Sequence, residues 1–191
     1  MNIFAEVPGP FSNTDTTKAR QLTTNMIPIL TTAGLTPSSH PLLAMYRLHL
    51  ELLVGCFKDG MSQRVLNDAI RSAAKYSAGL SNILPRGHPV RGVGIAELGK
   101  LLAVDEPSPA NFTQNPTAVS AFPPSGPARL KLAHETLVRA LEELTISFGK
   151  SNGGGEVGKE VRETILRLEK ELGIWTQGIR NVLADTRAAR S

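Results

Sequence analysis

Four histidines, one cysteine and a glycine-rich stretch closed by a lysine are the residues of this 191-residue chain whose types could do chemistry. His40, His49, His88 and His134 have no metal-ligand spacing with one another or with carboxylates. His40 and His88 each precede a proline at a helix start, and His134 falls on an apolar seam, so capping and packing suit them better than proton transfer. Cys56 stands alone, which removes any intrachain disulfide or cysteine-rich zinc site and leaves a small apolar thiol to be packed. Gly153 to Lys159 matches a phosphate-binding loop up to its last position, where Glu160 stands in place of the hydroxyl that magnesium needs. Glu156 adds a second negative charge beside where phosphates would lie, and the segment follows a helix instead of a strand. A helix–helix turn is the expectation there. With no serine or cysteine in a nucleophile setting, the sequence predicts no catalytic residue, no metal ligand and no cofactor-binding residue in this chain.

Binding is a different matter. Arg64, Arg71 and Lys75 fall on one side of a single helix, and arginines on a rigid helix suit carboxylate-bearing peptides. These three are the candidate partner-binding residues; the alternative is a solvated helix face. The net charge of +4 is mild and the basic residues are scattered, so nucleic acid is an unlikely partner. Mixed-sequence DNA would have to show a steep loss of affinity with salt to revive that reading.

The elements that must position these residues are helices. Residues 1–14 hold two prolines and no sustained apolar period, and read as a flexible arm. From Thr16 the positions Leu22, Met26, Ile29 and Ala33 recur at helical spacing as the inward face of a first helix, stopped by Gly34, with Pro28 expected to kink or split it. Ser38 and Ser39 supply hydroxyl caps for a second helix ending at Gly60, apolar on two sides and therefore central. Ser62 caps a third, with Val65, Ala69, Ala73, Tyr76 and Leu80 inward and the basic stripe outward, which reads as an outer helix. Pro89 at a first helical position opens a fourth, where Gly92, Ala96, Gly99 and Ala103 place only small side chains on one side. Another helix can approach that side closely.

Residues 105–126 carry most of a local proline excess and read as a flexible insertion. Beyond it Leu130, His134, Leu137, Leu141, Leu144 and Phe148 form a fifth helix. Val161, Ile165, Leu168, Leu172, Trp175, Ile179 and Val182 form a sixth, about two turns longer, with bends expected at Gly173 and Gly178. Its end should cover an earlier hairpin. The chain thus predicts an all-α fold of about six helices in stacked antiparallel hairpins, tetratricopeptide-like: residues 15–104 as two hairpins and 127–188 as a third.

No apolar run reaches the roughly 20 residues of a membrane span, and no basic start is followed by an apolar segment. An intracellular location, cytoplasmic or nuclear, follows as the expectation. Asn111-Phe112-Thr113 matches a glycosylation acceptor but is read as chance.

At His88-Pro89-Val90-Arg91-Gly92-Val93 and Glu97-Leu98-Gly99-Lys100-Leu101 the chain resembles the carboxy-terminal helical domain of SET-and-MYND-domain lysine methyltransferases. The likeness extends over residues 38–104 and, more loosely, 127–186, with a turn at Asp59-Gly60 and a short turn at Pro85-Arg86-Gly87 in the matching places. The resemblance implies a non-catalytic module that covers the substrate cleft of a SET domain and docks partner peptides, including a heat-shock chaperone tail. The S-adenosylmethionine and zinc of that family belong to motifs and a cysteine-rich finger that these residues lack. The alternative is a stand-alone adaptor for acidic peptides.

Overall fold

The computed structural model describes the backbone of residues 13–59, 62–107 and 122–188, and side chains within them other than those of 13–14, 58–59 and 174–188. Among the described residues the chain is all-α, with six α-helices: α1 (Asn13–Thr32), α2 (Leu42–Gly55), α3 (Gln63–Ile83), α4 (Pro89–Leu102), α5 (Pro127–Phe148) and α6 (Gly155–Ala188). Each helix packs on the next, and α6 also touches α4. This is the nearest-neighbour stacking expected of hairpins that cannot bury their faces alone.

The tightest joint is α4 against α5, and its cause is visible in the sequence. A Cβ built on Gly99 would lie 2.6 Å from Cγ and Cδ2 of Leu137, and one on Gly92 would lie 3.1 Å from Leu144. Ala96 and Ala103 on the same side are buried. The small side chains cost helix propensity, about 1 kcal/mol per glycine, and return it by letting Leu137 and Leu144 pack on the backbone. His88 caps this helix by accepting a hydrogen bond from the Val90 amide through Nδ1, and Pro89 occupies its first position.

Several sequence expectations are corrected. Pro28 neither kinks nor splits α1 into two elements: the helix runs unbroken over Asn13–Thr32, although Pro28 has no N–H for the Thr24 carbonyl. The expected inward stripe of α1 faces out, with Leu22 60% and Ile29 65% exposed, while Thr23 is buried. The physical reason is a polar pair, taken up below. The third helix is central rather than outer. Leu66, Ala69, Ile70, Ser72, Ala73, Ser77, Gly79 and Leu80 are all buried, because its small residues admit neighbours on both sides. Ser38 and Ser39 bond to Thr36 and leave α2 without a side-chain cap, whereas Ser62 does cap α3.

The carboxy-terminal hairpin follows its periodicity. Ala133, Leu137, Ala140 and Leu144 of α5 and Val161, Ile165 and Leu168 of α6 are buried together in the main core. The sixth helix has 34 residues against 22 in the fifth, so it is about three turns longer rather than two. It continues as helix through Gly173 and Gly178. The side chains expected to cover an earlier hairpin, Trp175, Ile179 and Val182, lie outside the described residues, as do residues 1–12 of the arm, Gly60 and residues 108–121 of the insertion.

The two ends of that insertion are joined. Glu106 accepts hydrogen bonds from Ser125 Oγ at 2.6 Å and from the Gly126 amide at 2.8 Å, and faces Arg129 Nη1 at 3.4 Å. Arg129 is almost wholly buried and gives Nη2 to the Leu101 carbonyl. Burial pushes its basicity down, opposed by Glu106 and Asp105.

Candidate functional site

α1 and α3 lie on either side of α2, and among the described residues no Cα of α1 comes within 8 Å of α3. The space between them is an open groove floored by α2. It has two recesses that share His49 and Asp68. One, of about 280 Å³, adds Arg20, Leu53, Arg64 and Val65; the other, of about 390 Å³, adds Thr24, Ile27, Pro28, Tyr46, Arg71, Ser72 and Lys75.

A buried polar pair holds α1 in this position. Thr23 Oγ1 lies 2.7 Å from His49 Nδ1 and 2.9 Å from the Arg20 carbonyl. A hydroxyl has one proton, so with that proton given to the carbonyl it accepts from Nδ1–H of the imidazole. The pairing turns Thr23 inward, and at helical spacing Leu22, Met26 and Ile29 must then turn outward. Burial is the main cause that lowers the basicity of His49; Arg20 adds to the lowering and Asp68 opposes it. His49 is therefore a neutral, packed groove floor near neutral pH, which suits positioning rather than catalysis.

The groove carries a surplus of positive charge. Arg20, Arg64, Arg71 and Lys75 face it against the single carboxylate of Asp68. Arg71 takes that carboxylate at 2.8 Å and gives its Nε to the Phe122 carbonyl at 3.0 Å, so this predicted site residue is occupied within the molecule. Arg64 and Lys75 are exposed and have no ion pair among the described residues. Arg20 donates only to Cys56 Sγ, at 3.2 Å.

A second groove, of about 300 Å³ between α2 and α4, makes the contrast. Its cation, Arg47, is bound by Glu51 at 2.7 Å and by Glu97, and lies over the Tyr76 ring at 5.6 Å. That charge is spent internally. Charge therefore singles out the α1–α3 groove as the surface with free donors for an anion.

The sequence reading placed Arg64, Arg71 and Lys75 on one face correctly, and the structure brings Arg64 and Lys75 to the groove free while binding Arg71. It missed Arg20, Thr23 and His49. The spacing of Arg20, Thr24, Ile27 and Pro28, all on one helical face, was the available signal. The remaining histidines are structural: His88 caps α4 and His134 Nε2 lies 3.3 Å from Glu169. The glycine run is the turn between α5 and α6, with Gly153, Gly154 and Gly155 all at positive φ. No group of His, Cys, Asp and Glu able to hold a metal ion occurs among the described residues, and none of their helices is long and apolar enough to cross a membrane. No family model matches the chain and no curated protein matches it.

Proposed function

We propose that this chain is a non-catalytic protein-interaction module that docks an acidic segment of a partner protein in the α1–α3 groove. The observation that carries the reading is the set of unpaired cations, Arg20, Arg64 and Lys75, on an open groove with only one carboxylate, itself engaged by Arg71. Such an arrangement steers and holds anions, and its strength falls as salt screens it over about 8 Å at physiological ionic strength. The test is fluorescence anisotropy with a labelled acidic peptide. The wild type binds with affinity that falls with salt, and Arg64→Glu with Lys75→Glu weakens binding at least tenfold. Undiminished binding by the double variant rejects the groove, and tighter binding to mixed-sequence DNA than to any peptide rejects a protein partner.

A second reading follows from the resemblance, supported by the built role of the residues that carry it, since His88 caps α4 and Gly92 and Gly99 seat α5. On this reading the module lies over a SET domain and narrows its lysine-substrate cleft, with S-adenosylmethionine and zinc held by that domain, and a heat-shock chaperone tail is one partner for the groove. Immunoprecipitation of the native protein followed by a methyl-transfer assay tests it. Absence of transferred methyl from precipitates that retain the protein rejects it.

A further inference from the structure

The groove is built to read two side chains at a set distance, and this inference rests on the acidic-segment reading above. Its first recess offers Arg20 and Arg64, both without a carboxylate partner among the described residues. The second offers an apolar wall, Ile27 and Pro28 of α1 over Tyr46 of α2. Helix dimensions decide what shape of ligand fits. One turn of a helix about 10 Å across and 5.4 Å long fills about 420 Å³. Recesses of about 280 and 390 Å³ are each too small for that, so each takes a side chain from a chain that is not helical.

The separation of the recesses then gives the ligand's spacing. On α1 the walls move from Arg20 to Thr24, Ile27 and Pro28, and on α3 from Arg64, Val65 and Asp68 to Asp68, Arg71, Ser72 and Lys75. Both shifts are about six residues, or about 9 Å at 1.5 Å per helical residue. An extended strand covers that distance in about three residues at about 3.3 Å each. The two walls agree on direction as well as distance.

We infer that the groove recognises an extended segment of a partner protein carrying an acidic side chain and, three residues away, a bulky apolar side chain. The carboxylate sits between Arg20 and Arg64, and the apolar group sits against Ile27 and Pro28. Arg71 takes no part, since Asp68 and the Phe122 carbonyl already hold it.

The experiment uses the full chain and three labelled peptides of one composition in a glycine-serine background: Asp and Leu three residues apart, the same pair adjacent, and the three-residue pair with Asn replacing Asp. The three-residue Asp peptide binds at least fivefold tighter than either of the others. Arg64→Gln abolishes the preference for Asp over Asn, and Ile27→Ser abolishes the preference for the three-residue spacing while keeping the preference for Asp. Far-ultraviolet circular dichroism matching the wild type establishes that both variants are folded. Equal affinity for both spacings overturns the inference and leaves the acidic-segment reading standing. Failure of every peptide to bind at low salt, while longer acidic peptides also fail, overturns both. Self-association that acidic peptide does not reverse also overturns the inference, by giving the groove to a second copy.

Discussion

At the residue scale, buried polar groups set the geometry that apolar packing leaves open. Glu106 holds two hydrogen-bond donors and one buried guanidinium at the point where the insertion leaves and rejoins the helices. Removing it strands the charge of Arg129, whose Nε already has no hydrogen-bond partner. Glu106→Ala is therefore expected to cost about 3–5 kcal/mol in urea unfolding, and Glu106→Gln, which keeps an acceptor, markedly less. His49 makes a prediction with a sign. Its basicity in the folded protein lies below the ordinary 6.5, chiefly through burial, so below pH 6.5 the unfolded chain binds more protons than the native one. Its contribution to stability is complete above that pH and is lost as pH falls below it. The urea midpoint should drop on acidification through that window, and more for the wild type than for His49→Gln. A drop of the same size in the variant would assign the pH dependence to other groups.

At the element scale, α4 shows how a helix made of weak formers becomes the most embedded one. Gly94 faces Leu80 and Tyr76 of α3 while Gly92 and Gly99 face α5, so the helix is gripped from both sides. Substituting Ala there tests whether packing or propensity decides. Gly99→Ala must displace Leu137 and is expected to lose about 1–3 kcal/mol, despite the better helix propensity of Ala. Gly173→Ala in α6, where a Cβ would meet nothing within 4 Å, should instead gain about 0.5–1 kcal/mol. Thermal unfolding of the two variants should move in opposite directions; movement in one direction would mean that propensity or packing alone governs both. α1 illustrates the reverse error. A helix whose most regular apolar stripe is exposed was oriented by one threonine bonded to one histidine, because leaving that buried pair unsatisfied costs more than exposing Leu22 and Ile29.

At the scale of the whole molecule, the stack has a weak end. Among the described elements α1 packs on α2 alone, whereas α3 and α4 are each held between neighbours. Thr23 is its only fully buried residue, and Pro28 withholds one ladder bond. Native-state hydrogen exchange should therefore find amides of α1 opening well below the free energy at which α3 and α4 open, and Pro28→Ala should slow exchange in α1. Uniform protection across α1, α3 and α4 would show that the molecule opens only as one unit. The same end forms one wall of the groove, so an acidic ligand that bridges α1 and α3 should raise protection in α1 by mass action.

The sequence by itself determined the kind of fold and most of its joints. The 3.6-residue period marked the helices, proline and histidine marked the start of α4, glycines marked the turns, and small residues every three to four positions marked where α5 would lie. These are local signals: each depends on spacing along one helix or on the backbone freedom of one residue, so neighbours in the chain suffice to read it. Only the tertiary structure decided which face of α1 points inward, that α3 is central, that Arg71 is spent on Asp68 and Phe122, and that Glu106 closes the insertion. Those outcomes depend on pairs far apart in sequence, Thr23 with His49, Arg71 with Phe122, Glu106 with Arg129. A buried polar group is oriented by whichever partner folding brings within about 3 Å, and no periodicity in the chain records that partner.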